Sequence, residues 1–405
     1  VRCSYNFQTI SNFQTFKQFK PLQTFKPSNS FKTQKHMEEK HKFTIGIEEE
    51  YQIIDVESRD LVSHVSKIID GTQSLLHEKL KNEMHESVVE METSVCENIK
   101  QAREEMYSLR RNLVDLAKKH NLRVSGGGTH PFSDWKLQNI TTKDRYDIIV
   151  NDMGDVARSN LIFGLHVHVG VPNREEGIRI QNIARYFLPH IYALSTCSPF
   201  WEGRNTGFKS FRQKIFAKFP RTGIPSHFNS WADFEQYVNI LIKTGTIDNA
   251  KKIWWDLRVH PIYPTIEFRI CDMPLRIEET LCLAAIMQCI VAKIYKLHQQ
   301  NISFRSYRRI LINENKWRAS RYGIDAELID FGKEIAVPYE KILDELLEFI
   351  DDVVDELDCR KEVEYAREIV KMGTGADRKI KVYNETGDLK KVVDYMISET
   401  EFGLF

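Results

Sequence analysis

Apolar and polar residues alternate along "FTIGIEEEYQIID", residues 43–55. Side chains on a β-strand point to opposite faces with period two, so the alternation predicts a strand over 43–54. Ile45, Ile47, Glu49, Tyr51 and Ile53 share one face, and Gly46, Glu48, Glu50 and Gln52 share the other. Acidic residues are poor strand formers and adjacent carboxylates repel. Parity turns the triplet into a pair: Glu48 and Glu50 project into one space, roughly 7 Å apart along the strand. Glu49 projects the other way. A solvated edge strand would account for Glu-x-Glu by itself; a functional reading needs partners from elsewhere in the chain.

Three other segments repeat the pattern. In "LIFGLHVHVG", inside a strand expected over 160–171, Leu165, Val167 and Val169 face one side while Gly164, His166 and His168 face the other. In "TIEFRICD", Ile266, Phe268 and Ile270 oppose Thr265, Glu267 and Arg269. In "EMHESVVEMET", Glu86 and Glu90 share one parity. Ala102, Met106, Leu109, Leu113 and Leu116 fit the helical period and predict an amphipathic helix over 98–120. Helices are also expected over 61–81, 176–196, 230–245 and most of 276–370, with an irregular stretch over 198–227. The apolar run "LCLAAIMQCIVAKIY" from Leu281 contains Gln288 and Lys293, is too short to span a bilayer, and reads as a buried helix. Few strands carry the polar residues and helices carry the apolar bulk. That predicts an α/β or α+β sheet with one face under helices and the other open to a site.

Composition narrows the function. In 405 residues, 42% hydrophobic and 28% charged, the formal net charge is zero, so nothing global points to nucleic acid or an anionic membrane. Seven cysteines lack any C-x-x-C spacing, which predicts reduced thiols and a cytoplasmic protein without structural zinc. Residues 1–36 hold no Asp or Glu and repeat Phe-Gln-Thr and Phe-Lys units. They lack the apolar core of a secretion signal and are almost free of arginine, so 1–40 is expected to be a disordered extension, with Met37 as an alternative start. A catalytic domain is expected over 41–380 and a C-terminal tail over 381–405.

Each polar strand has a bland reading: His-x-His is often structural, Glu267 and Arg269 could be a surface ion pair, and Glu86 and Glu90 could be solvated. Together they are chemically coherent. Carboxylates with imidazole and no thiolate suit a hard divalent cation, Mg²⁺ or Mn²⁺. Mg²⁺ on a carboxylate cluster commonly holds nucleotide phosphates, and arginines neutralise a transferring phosphoryl group. Arg204, Arg212, Arg221, Arg258, Arg269, Arg318 and Arg321 are available. There is no G-x-x-x-x-G-K-[ST] loop, and "SGGGTHP" lacks its lysine and reads as a tight substrate-side turn. Two alternatives stay open: a divalent-metal hydrolase on His166 and His168 with Asp272 or His130, and a non-catalytic nucleotide or amino-acid sensor.

"FTIGIEEEYQ", "HESVVEMETSVC", "SGGGTHPF", "FGLHVHVGVP", "FPRTGIP", "IEFRICDMPL" and "RASRYG", in this order, resemble the carboxylate–amine ligases of the glutamate–cysteine ligase type 2 (YbdK-like) family. That family is a branch of the glutamine-synthetase-like ligases, and the resemblance spans 43–378. It implies an α+β fold whose curved antiparallel sheet forms an active-site funnel, with ATP at one mouth and amino acids at the other. It implies Glu48 and Glu50 as arms of two Mg²⁺ (or Mn²⁺) sites, one completed by His166 and Glu267, the other by Glu86 or Glu90. His168, Arg258 and Arg269 would lie on the nucleotide, and Arg269 and Arg212 would act on the transferring phosphoryl group. The implied reaction joins glutamate to cysteine, or to another amine, through a γ-glutamyl phosphate, with ATP consumed, as in glutathione biosynthesis. The loop over 198–227 would be a lid. The partners expected are small molecules, with neither nucleic acid nor membrane, and a homodimer is one oligomeric state left open.

Overall fold

The strand expected over 43–54 runs Ile45–Asp55 (β1) and is the hub of the main sheet. The computed structural model describes residues 41–70 and 77–405; the extension expected over 1–40 lies outside the described residues. The other sheet strands are Leu80–Asn82 (β2), Val88–Glu92 (β3), Leu122–Ser125 (β4), Gly164–Gly170 (β5), Leu257–Val259 (β6) and Thr265–Asp272 (β7). They form an open sheet of seven strands in the order β6-β7-β5-β1-β3-β2, with β4 also pairing β1. Every pairing is antiparallel. The length of β1 lets it pair β5 along Ile45–Glu49, β3 along Glu48–Gln52 and β4 along Gln52–Asp55.

Register aligns the polar faces. Glu48 lies opposite both His166 and Glu92, Glu50 opposite Glu90, and Gly46 opposite His168. His168 in turn lies opposite Glu267, and Glu267 opposite Arg258. Directly opposed residues point to the same face, so one side of the sheet carries ionisable groups across five strands. The other side is apolar: Ile45, Ile47, Tyr51, Val167, Val169, Ile266 and Phe268 are all buried.

Helices cover that apolar side. Ile99–Lys119 starts where the Asn98 side chain accepts the Gln101 N–H and stops at His120, and it buries the five positions the helical period selects. Ile277–Gln299 packs against β5 and against the helices Arg174–Ala184, Ile99–Lys119, Tyr339–Val354 and Arg360–Met372. At 23 residues it is longer than its apolar run, and by length and composition it could cross a membrane, but 78% of its most apolar window is buried in the protein.

Several expectations change. The helix expected over 61–81 is helical at Val65–Asp70, its residues 71–76 lie outside the described residues, and Leu80–Asn82 is an edge strand on Met91, Glu90 and Val89. Pairing overrides local preference there. The stretch over 198–227 is not irregular throughout: Phe200–Trp201 and Arg204–Asn205 form a hairpin, Arg212–Phe216 is a short helix, and Thr222–Gly223 pairs with Trp254–Trp255. A hairpin, Glu327–Asp330 with Ile335–Pro338, interrupts the helices of 276–370. At the C-terminus, the helices Gly375–Thr386 and Leu389–Glu401 pack onto the protein, and Lys379 Nζ donates to the Cys197 carbonyl at 2.9 Å.

Glu49 has partners on the covered side. Its carboxylate accepts from Arg110 Nη2 at 2.6 Å, from Thr280 Oγ1 at 2.5 Å and from the Tyr51 hydroxyl. Arg110 also donates to the Leu275 carbonyl at 2.8 Å, and Glu49 and Arg110 are both fully buried. Truncating one member of a buried ion pair leaves the other charge uncompensated, at a cost of about 3–5 kcal/mol. Arg110→Ala should therefore lower the unfolding free energy by about 3–5 kcal/mol in urea or guanidinium titrations. The double variant Glu49→Gln/Arg110→Met should recover much of that loss, because it removes both charges together.

Candidate active site

Each site residue reaches the open face through strand parity. β1 contributes Glu48 and Glu50, β3 contributes Glu90 and Glu92, β5 contributes His166 and His168, and β7 contributes Glu267 and Arg269. Glu48 is central. Its two oxygens meet His166 Nδ1 at 3.1 Å and His168 Nε2 at 3.2 Å. Glu48, Glu90 and His166 bring ligand atoms within 4.8 Å of one another, and so do Glu48, His168 and Glu267. The structure thus groups His166 with Glu90 and His168 with Glu267, with Glu48 shared by both groups. Glu50 lies beside them and accepts the Gly164 backbone N–H. Glu86 stands apart, in the turn before β3, where Asn139 Nδ2 donates to it at 3.4 Å.

The two groups differ electrostatically. Glu267 accepts from Arg258 Nε at 2.6 Å and Nη2 at 3.3 Å and from Arg269 Nη1. Burial opposes its ionisation, but Arg258, Arg269 and His168 hold it well below the usual carboxylate range. Glu48 is likewise held down by His166 and His168 against the effect of burial. On the other side, burial pushes Glu50 up to about 7 despite Arg212, with Glu83 adding to the rise. Burial and the charges of Glu83, Glu48 and Glu50 push Glu90 well above its ordinary value. Burial lowers His166 to about 4, helped by Arg269, so its ring is neutral near pH 7.

Three buried nitrogens here lack a hydrogen-bond partner among the described residues: His166 Nε2, Arg212 Nε and Arg269 Nε. An unmade buried hydrogen bond costs about 1–3 kcal/mol, so each of these nitrogens is available to a ligand at the polar face. A neutral imidazole with a free Nε2, beside carboxylates crowded enough to resist ionisation, fits an oxygen-preferring divalent cation. The Glu48–Glu90–His166 group fits it better than the Glu267 group, where two guanidinium groups already compensate the charge.

Arg212 is held in place by packing. A Cβ on Gly164 would lie 2.1 Å from Arg212 Nη2, so the guanidinium occupies the space that glycine leaves on the polar face. Arg212 Nη1 donates to the Arg269 carbonyl at 3.3 Å, beside the register shift in β7. Its backbone N–H donates to Ser198 Oγ at 3.0 Å. Ser198 Oγ and Ser210 Oγ donate to Asp272 at 2.6 and 2.8 Å, and the Cys197 N–H donates at 2.8 Å. Residues 197–212 are thus pinned against β7 and form a wall beside the polar face. The metal-hydrolase alternative loses its further ligands, Asp272 and His130, by the same geometry. Asp272 serves this wall, and His130 lies between the Arg59 carbonyl and the Phe132 and Ser133 N–H groups. Arg318 and Arg321 bond to Glu327 O and Gly207 O at the surface, and Arg221 donates to the Lys252 carbonyl. The glycines of "SGGGTHP" allow close packing: a Cβ on Gly126 would meet the Pro274 carbonyl at 2.2 Å.

Sequence reasoning missed Glu83, Glu92 and the Lys316–Asp256 pair. Glu92 has the parity of Glu90 and pairs with Lys81, so alternation could have found it. Glu83 acts on Glu48, Glu50 and Glu90 from the residue just after β2, outside any periodic element. Lys316 donates to Asp256 at 2.6 Å from a helix remote in sequence.

The model of the family described as glutamate-cysteine ligase family 2 matches residues 44–395. A Solibacter usitatus protein named "Putative glutamate--cysteine ligase 2" is 57% identical over 363 residues, 89% of this chain and 94% of that one. A Chloroflexus aurantiacus protein of the same name is 53% identical over 362 residues, 89% of this chain and 93% of its own length. Among solved structures, a Francisella tularensis glutamate–cysteine ligase in complex with AMP superposes with a TM-score of 0.65 at 12% identity, covering 89% of this chain and 90% of the other. A Pasteurella multocida bifunctional glutathione synthetase gives 0.63 at 13%, covering 90% and 53%. At these identities the two structures share the fold.

A cation at Glu48, Glu90 and His166 has a direct test. Mn²⁺ titrated into the protein and followed by electron paramagnetic resonance should bind, and Glu48→Gln should weaken it at least about tenfold. Carboxylates must lose their protons to ligate, and Glu50 and Glu90 resist doing so. Affinity should therefore rise with pH through about 7 and fall toward pH 6.

Proposed function

From the premise that the chain belongs to glutamate–cysteine ligase family 2, we propose that it is an ATP-dependent ligase that joins the γ-carboxylate of glutamate to an amine, most simply that of cysteine. The observation that carries this reading is the sheet face itself. A carboxylate–imidazole group with an unpartnered His166 Nε2 lies beside Arg212 and Arg269, each with an unpartnered Nε. Such a face suits a metal-bound polyphosphate and a transferring phosphoryl group, with no P-loop in the chain.

An amide does not form from a carboxylate and an amine in water without activation. A glutamate γ-carboxylate oxygen attacks the terminal phosphorus of ATP, the bond to the bridging oxygen breaks, and ADP leaves. The amine lone pair then attacks the acyl carbon. A C–N bond forms, phosphate departs with the C–O electrons, and the nitrogen gives up its extra proton. Mg²⁺ held by Glu48, Glu90 and His166 would neutralise phosphate charge. Arg269 and Arg212 present donors to the transferring group. Glu267 and Arg258 fix Arg269: Glu267 accepts from both guanidinium groups, while Arg258 Nη1 is anchored on the Ile253 carbonyl at 2.5 Å. The wall of residues 197–212, pinned through Asp272, would help keep water from the acyl phosphate.

Purified protein given Mg·ATP, glutamate and cysteine should release ADP and form a mass-identified γ-glutamyl amide. Glu267→Gln and Arg269→Ala should each lower kcat by about 10²–10³-fold. Full ligation by both Glu48→Gln and Glu267→Gln would sink the proposal.

A further inference from the structure

A concave feature lies beside the wall of the site. A cavity of ≈ 410 Å³ lies beside the wall that carries Arg212, and none of Glu48, Glu90, His166 or Glu267 lines it. Its link to the site is Phe211, which lines the cavity while the next residue lays its guanidinium over Gly164. Gly164 begins β5, and His168 lies toward its other end. The cavity thus adjoins the end of the polar face away from His168.

Three aromatic rings, Trp135, Trp201 and Phe211, form its apolar lining, with the Trp201 and Phe211 centroids 6.4 Å apart and inclined at 42°. Asp155, Arg204 and Lys218 supply charge at the same cavity, and none of the three charged groups has a hydrogen-bond or ion-pair partner among the described residues. Glu202, also at the cavity, is engaged by Trp135 Nε1 at 3.0 Å. The lining is fixed by the backbone around it. Glu202 and Gly203 have φ of 48° and 77°, as a tight two-residue hairpin turn needs. The Gly203 N–H donates to the Pro131 carbonyl at 3.1 Å, and Thr129 Oγ1 donates to the Phe200 carbonyl at 2.7 Å.

The volume falls within the ~300–1,000 Å³ usual for small-molecule sites, more than a small thiol side chain fills. Flat aromatic walls favour a flat apolar group. Arg204 and Lys218 against Asp155 and Glu202 leave the lining formally neutral, and the unpaired cations offer partners to a ligand carboxylate while the unpaired Asp155 carboxylate offers one to its amino group. We infer that this cavity binds an amino acid with an aromatic side chain and presents its amine as the acceptor in the ligation; the acceptor role rests on the ligase reading above, while the binding site does not.

Calorimetric titration with L-phenylalanine, phenethylamine and L-alanine tests the site without turnover. Phenylalanine should bind at least about tenfold tighter than either of the others, one lacking the carboxylate and one the ring. Trp201→Ala should weaken phenylalanine at least about tenfold. Arg204→Ala/Lys218→Ala changes only exposed side chains, so it tests the site even if Trp201→Ala misfolds. It should abolish the preference for phenylalanine over phenethylamine. Phenylalanine binding no tighter than alanine, or an unchanged preference in the double variant, overturns the site. ADP release with Mg·ATP, glutamate and each amine separates the two readings. Turnover with cysteine but not with bound phenylalanine overturns the acceptor role and leaves the ligase standing. Specific phenylalanine binding with no turnover on any amine upholds the site and fails the ligase.

Discussion

A single buried carboxylate organises this protein. Glu49 gathers Arg110 from one helix, Thr280 from another and Tyr51 from its own strand, all on the side away from solvent. Desolvating a charge is expensive unless it is paired and hydrogen-bonded, so β1 has one sustainable orientation. A one-residue slip would expose the Glu49 network and drive Glu48 and Glu50 into the apolar layer. The ion pair therefore fixes the register on which the opposite face depends. Through β1 that register passes to β5 and β3, and through β5 to β7.

The opposite face is deliberately unbalanced. Its β7 side is compensated, with Glu267 between two arginines. Its β3 side is crowded with carboxylates: burial and repulsion raise Glu50 to about 7 and push Glu90 well above its ordinary value. Glu48 belongs to both sides. Such a gradient separates an acid-rich region from an arginine-rich one within one small space. The unpartnered nitrogens of His166, Arg212 and Arg269 lie along the same gradient.

How much of this could be read from the sequence follows from where periodicity exists. Parity assigns faces along β1, β5 and β7 because one side of each is buried, and a helical period places Ile99–Lys119 within a residue of its ends. Leu80–Asn82 is too short to carry a period and is a strand only because β3 offers it an edge. Sharing of Glu48 between two groups is a matter of cross-strand register, which no single strand encodes. Glu83 follows the short β2 outside any periodic element, and Asp272 has the residue type of a ligand but is taken by three donors from the 197–210 segment. The partner of Glu49 could be expected in kind, a buried cation, but helix packing selects Arg110.

Phe211 and Arg212 are consecutive on one short stretch of backbone, one lining the cavity and the other filling the space above Gly164. Asp272 clamps that stretch through Ser198 and Ser210. Changes that widen the cavity by moving this backbone drag the guanidinium with it, whereas changes on the Trp135 or Arg204 side do not. Any reshaping of this cavity would thus find two unequal routes, a costly one through residues 210–212 and a freer one across the cavity.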